Sequence, residues 1–203
     1  MINLNDESFD QVGGNSKIFN NGLAGITEDV TVSLSKRKPD EKETLPDYKV
    51  IFTDTSGATV NTSFYYIKEA TQYKTVDQQI ISQGKVLKHL IHAVVGKDAK
   101  FPSFNSPKEM LDGCMKLLRE GVSAAPGNKF RIFTNYGTTG SPKKYLQPRS
   151  WVPFIEHMDV PGADSRLSVG DLDQMARLAP DEKSTGTPSG AASPNATPSG
   201  DDW

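Results

Sequence analysis

The chain has 203 residues, 35% of them hydrophobic, and a formal net charge of −2, which suits one domain of ordinary size plus appendages. No apolar run approaches the ~18 residues of a membrane-crossing helix, and the N-terminus lacks the basic-then-apolar pattern of a secretory leader. Cys114 is the only cysteine; this excludes an internal disulfide or a cysteine-based zinc site and fits a reducing cytoplasm.

The small net charge hides a division. Residues 1–16 carry −3, residues 17–158 carry +6, and residues 159–203 carry −5. A basic body with an acidic tail is an asymmetry that points to nucleic-acid contact, with the tail able to compete for the same surface.

Residues 1–24 read as an irregular N-terminal arm. Val30, Val32 and Leu34 alternate with Thr31, Ser33 and Ser35, which predicts a half-buried strand over 26–35. The charged, Pro-containing stretch after it is a loop, and Lys36, Arg37 and Lys38 sit at the strand end, where they are candidates to hold phosphates. Tyr48–Asp54 and Thr59–Ile67 read as a hairpin around Asp54-Thr55-Ser56-Gly57. Within the second strand, Phe64 and Tyr66 fall on one face and Tyr65 on the other. Tyr65 is taken as a candidate stacking ring.

Two helices follow. Thr75-Val76-Asp77-Gln78 and Ser106-Pro107-Lys108-Glu109 both match capping boxes. Apolar stripes run from Val76 to Val95 and from Met110 to Leu118. His89 and His92 stand three apart, without a third ligand near them in sequence, and are read as packing or surface residues.

The densest signal is Lys129–Glu156. It holds six aromatic residues and five basic ones, with no acid before Glu156. Bases neutralise phosphates and rings stack on unpaired nucleobases, so this mixture suits a single nucleic-acid strand. A fourth strand is expected over 129–135, with Phe130 and Ile132 toward the core and Arg131, Phe133 and Asn135 on the other face. Residues 136–142 are expected to be a loop, and a fifth strand over 145–155 is interrupted by Pro148 and Pro153. The candidate strand-contact residues are Arg131, Phe133, Tyr136, Lys143, Lys144, Tyr145, Arg149 and Trp151, with Lys36, Arg37, Lys38 and Tyr65 as a second edge.

Residues 161–182 form an acidic segment, with a short helix expected over 167–178. Residues 183–200 are rich in Gly, Pro, Ser and Thr and read as a flexible linker. The linker runs into Asp201-Asp202-Trp203, a pattern suited to a tethered peptide whose ring fills a partner's pocket.

The order strand, strand, strand, helices, strand, strand is that of a five-stranded OB barrel with a helical insertion between strands 3 and 4, here over 25–160. With its basic, aromatic body, Gly/Pro/Ser linker and Asp201-Asp202-Trp203 end, the chain resembles the single-stranded DNA-binding proteins of bacteriophage and bacterial type. That resemblance implies a protein that coats single-stranded DNA in replication, recombination or repair. It also implies recruitment of replication or recombination proteins through the tail, in the host cytoplasm if the chain is phage-encoded, and it is compatible with a homo-oligomer. In the bacterial proteins the tail typically ends in several acids and Ile-Pro-Phe; here it is shorter and ends in Trp. A different reading is a phage structural or assembly protein with a docking tail.

Gly137-Thr138-Thr139-Gly140-Ser141-Pro142-Lys143 also resembles the phosphate-binding signature of acyl-adenylate-forming enzymes. The likeness covers those residues alone, so a loop between two strands is the expected explanation. No catalytic constellation, cofactor or metal site is expected, and the chain is read as a binding protein rather than an enzyme.

Overall fold

The computed structural model describes residues 17–138, 141–170 and 173. It is a mixed α+β structure with a six-stranded antiparallel sheet and two helices. The strands are β1 (Gly25–Lys36), β2 (Tyr48–Thr53), β3 (Thr59–Phe64), β4 (Phe130–Thr138), β5 (Ser141–Pro148) and β6 (Ile155–His157). The helices α1 (Val76–Val94) and α2 (Pro107–Ala124) lie between β3 and β4 in the chain.

β1 is shared by two pairings. Its first part pairs with β4 (Gly25↔Thr134 to Val30↔Phe130) and its second with β2 (Thr31↔Thr53 to Lys36↔Tyr48). Between them the register slips at Thr27/Val30, where Asp29 takes φ 57. Such a bulge bends a strand and lets it pass from one pairing to the next. The resulting order is β3-β2-β1-β4-β5, with β6 also on β4. β5 returns beside β3 across a cleft of about 520 Å³. Among the described residues no ladder joins β3 to β5, so the sheet is open rather than a hydrogen-bonded closed barrel.

Alternation explains the core. Val30 and Val32 of β1, Tyr48, Val50 and Phe52 of β2, and Val60 and Phe64 of β3 point inward. They meet Leu87, Leu90 and Ile91 of α1 and Leu111, Met115 and Leu118 of α2. Phe130 and Ile132 of β4 join this core as expected. Both helix starts carry the caps written in the sequence. Thr75 Oγ1 accepts from Gln78 N (3.2 Å) while Thr75 N donates to Gln78 Oε1 (2.9 Å), a complete box. Ser106 Oγ accepts from Glu109 N (3.2 Å), but the Glu109 carboxylate accepts from Asn105 N instead of from Ser106 N.

Three expectations are revised. The loop expected over 136–142 is mostly strand: the β4–β5 hairpin continues to Thr138↔Ser141. Gly137 makes this turn region, because its φ is 92 and a Cβ there would strike the Ser141 carbonyl oxygen. The fifth strand expected over 145–155 is two strands, β5 and β6, separated by an excursion over 149–154. The helix expected over 167–178 has no helical residues among 167–170, and Asp173 makes an isolated bridge to Thr138; the rest of that span lies outside the described residues.

Candidate nucleic-acid interface

The basic and aromatic residues of 129–156 separate into an inner and an outer set. Phe133 marks the inner one. Its carbonyl accepts from Arg149 N (3.0 Å) and its N–H donates to the Phe154 carbonyl (2.7 Å). The chain therefore leaves β4 at Arg149 and returns at Phe154, and what lies between folds over Phe133, which is 0% exposed. The Arg149 guanidinium sits 4.4 Å from the Phe133 ring centroid and 5.3 Å from that of Trp151. A planar cation between two rings is a favourable place for arginine. Arg149 also donates to the carbonyls of Ser168 (2.7 Å) and Pro153 and pairs with Asp173 at 3.4 Å. Asp173 in turn accepts from Asn135 Nδ2 at 2.6 Å. This pair is almost wholly enclosed, with side chains 4% and 0% exposed.

Arg131 is committed in the same way. It pairs with Glu28 (2.9 Å) and Glu156 (3.1 Å) and donates to the Val160 carbonyl (2.8 Å). Glu156 is held by Ser165 Oγ (2.5 Å) and Arg166 N (3.2 Å). Tyr136 is buried, and its hydroxyl donates to the Gly22 carbonyl at 2.6 Å. The outer face of β4, expected to be an open platform, is thus covered by residues 149–170 and Asp173 of the same chain. Arg131, Phe133, Tyr136 and Arg149 are placed as internal supports, and Trp151, half-buried, as the outer leaf of the Arg149 stack.

The outer set stays on the surface. Lys36 and Lys38 are exposed at the end of β1, and Tyr65, just past β3, is 48% exposed. Lys36 lies 5.2 Å from the Tyr48 ring and only 3.9 Å, a weak approach, from Asp112. Arg37 differs from its neighbours, since Asp47 holds it at 2.7 Å with both side chains largely buried. Lys143 and Tyr145 project from β5, Tyr145 being 74% exposed. The side chain of Lys144 lies outside the described residues, as do Asp201, Asp202 and Trp203.

β1, β2 and β3 turn a polar face outward. Register puts Thr31, Thr53 and Thr59 in one row, Ser33, Ile51 and Asn61 in the next, and Ser35, Lys49 and Ser63 in the third. Lys38 and Tyr65 follow the third row, and Lys36, opposite Tyr48 in register, turns with it toward Asp112 of α2 at the same end. The β4–β5 hairpin reaches the opposite end near Tyr136, which is bonded to Gly22, and the turn Phe19–Gly22 is tied to the β2–β3 turn by Asn20 N on Asp54 Oδ2 (2.8 Å). Lys49 was not singled out from sequence. The alternation in Tyr48-Lys49-Val50-Ile51-Phe52-Thr53, which turns Lys49 outward, was the signal for it. Tyr73, 83% exposed, was likewise passed over.

Comparison with protein-family models, curated sequences and solved structures finds no match to this chain.

Several titratable groups matter for the scaffold around the site. His89 of α1 accepts with Nε2 from the backbone N–H groups of Phe154 (3.1 Å) and Ile155 (3.3 Å). Burial, with nearby cations adding to it and against the opposing effect of the backbone contact, brings its pKa down to about 4. Asp112 of α2 accepts from the hydroxyls of Tyr48 (2.5 Å) and Tyr66 (2.7 Å). Burial pushes the Tyr48 hydroxyl up to about 12, with Asp112 adding to the rise. Cys114 is buried, and burial raises its thiol to about 11, the condition of an unreactive packing residue. Among the described residues no group of three His, Cys, Asp or Glu side chains is placed to hold a metal.

Proposed function

We propose that this protein is an OB-type module that binds single-stranded DNA and coats it during replication, recombination or repair. The observation that carries the reading is the strand order β3-β2-β1-β4-β5 with β5 brought back beside β3. An OB barrel requires that path, and such barrels are often partly open and bind strands on the face built from strands 2 and 3. Here that face is a polar lattice of Ser, Thr and Asn with basic and aromatic side chains at both ends. The contacts are Lys36, Lys38, Lys49, Tyr65, Lys143 and Tyr145. Phosphates follow the lysines and bases stack on the tyrosines, with little sequence preference. Asp201, Asp202 and Trp203 recruit replication or recombination proteins.

Fluorescence-anisotropy titration of labelled oligo-dT at several salt concentrations tests this. The expected result is binding whose log K falls linearly with log salt, at about 0.7 per phosphate neutralised. A second reading, a phage structural or assembly protein, draws on the internal use of Arg131, Phe133, Tyr136 and Arg149. Absence of oligonucleotide binding at every salt concentration would select it.

A further inference from the structure

The connection from β3 to α1 lines a cleft of about 500 Å³ with the β1–β2 loop and the first turns of α1. Tyr65, 48% exposed, forms one wall. Ser82 and Gln83 of α1 form another. Among the described residues Gln83 Nε2 is buried with no hydrogen-bond partner, and so is Nε of Arg37, which also lines the cleft. Buried donors without acceptors are uncommon in folded proteins and mark places where an acceptor is missing. The Gln83 amide turns about a soft terminal torsion, so a modest rotation aims it into the cleft.

The charges around it are balanced. Arg37, Lys68 and Lys74 face Glu43, Asp47 and Glu69. Lys68 is spanned weakly to Glu43 at 3.5 Å and Lys74 reaches Ser82 Oγ at 3.4 Å. A phosphate placed inside would meet three carboxylates. A flat, neutral ring with its own donors and acceptors would not be repelled by them. A smaller groove adjoins, sharing Arg37, Glu43, Asp47 and Tyr66 and adding Lys36 and Lys38. Cations therefore stand just outside the cleft, and an aromatic ring and amides within it.

We propose that this cleft takes one unstacked nucleobase of the bound strand. The base lies on Tyr65, its edge meets the Gln83 amide and the Ser82 hydroxyl, and the flanking phosphates sit on Lys36 and Lys38. An amide offers both a donor and an acceptor, so it can meet the edge of any base. The inference rests on the strand-binding reading and adds a discrete base subsite to it.

The test uses the full chain and an oligo-dT carrying 2-aminopurine at every fourth position. Binding by the wild-type protein is expected to change the 2-aminopurine emission. Tyr65→Leu should weaken binding roughly tenfold through loss of one stack, leave the salt slope unchanged, and remove the emission change. Gln83→Leu should reduce the emission change as well, and it carries the test if a thermal melt shows that Tyr65→Leu has not folded. Lys38→Ala should do the opposite, lowering the salt slope while the emission change persists. If the wild-type protein binds and both cleft variants match it in affinity and emission, the base subsite is wrong and strand binding stands. If the wild-type protein does not bind the oligonucleotide at all, both ideas fall together.

Discussion

Arg149 and Lys143 look alike in the sequence, two cations in a ring-rich stretch, and the structure gives them opposite tasks. Arg149 is enclosed between Phe133 and Trp151 and paired with a buried carboxylate. Removing one member of a buried pair leaves the other uncompensated, which typically costs about 3–5 kcal/mol. Arg149→Ala should therefore lower the urea midpoint sharply, and Arg149→Lys should recover little, since a lysine cannot fill the planar slot. Lys143→Ala, on an exposed strand position, should change stability by less than about 0.5 kcal/mol and lower the salt slope of oligonucleotide binding by roughly 0.7–1. Loss of strand binding by a well-folded Arg149 variant would show that the buried guanidinium had been misassigned. His89 adds a pH dependence with a definite sign. Its folded pKa, about 4, is below the ordinary 6.5, so between those values the unfolded chain holds the extra proton. Stability from this group is full above pH 6.5 and is lost as pH falls toward 4. Thermal melts should show that decline, and His89→Gln should flatten it.

Among the elements, those set by local pattern were legible and those set by distant cover were not. β1, β2 and β3 followed from period-two alternation, and α1 and α2 from capping boxes and apolar stripes, because each signal lies within a few residues of its effect. The alternation of β4 correctly put Phe130 and Ile132 on one face and Arg131 and Phe133 on the other. It could not say that the second face is also covered, since the cover comes from Glu28 on one side and from residues 149–170 and Asp173 on the other. Gly137-Thr138-Thr139-Gly140-Ser141 read as a loop because its residues are small and turn-prone, although a hairpin needs few such residues. Helix α2 docks through Asp112, which accepts from two tyrosine hydroxyls of the sheet side. Asp112→Ala leaves both hydroxyls without that acceptor and should cost about 1–3 kcal/mol in denaturant titration, with Asp112→Asn costing less. Cys114, buried on the same helix, should resist a thiol reagent such as dithiobis-nitrobenzoate in the native protein and react once α2 comes away.

At the scale of the whole molecule the charge division acquires a location. The body carries +6 over residues 17–158 and the segment after it −5, but part of that acidic segment is already used: Asp173 neutralises Arg149 inside the fold. A truncation meant to expose the basic face must keep Asp173. A chain ending at Leu178 does so and removes four acids and one base. It should bind oligo-dT more tightly than the full chain at low salt, the difference shrinking as salt is added. Equal affinities at low salt would mean that the tail does not compete for the strand.

The bend at Asp29 has a further result for how the protein opens. Because β1 passes from β4 to β2 there, its backbone is gripped by a different neighbour on each side of the bend. No partial unfolding can release one half of the sheet without disturbing the strand that anchors the other. β3 and β5, by contrast, each present one edge to the cleft between them. Native-state hydrogen exchange should therefore be graded: cleft-facing amides of β3 and β5 exchange through small local fluctuations, and the paired amides of β1 wait for the molecule to come apart as a unit.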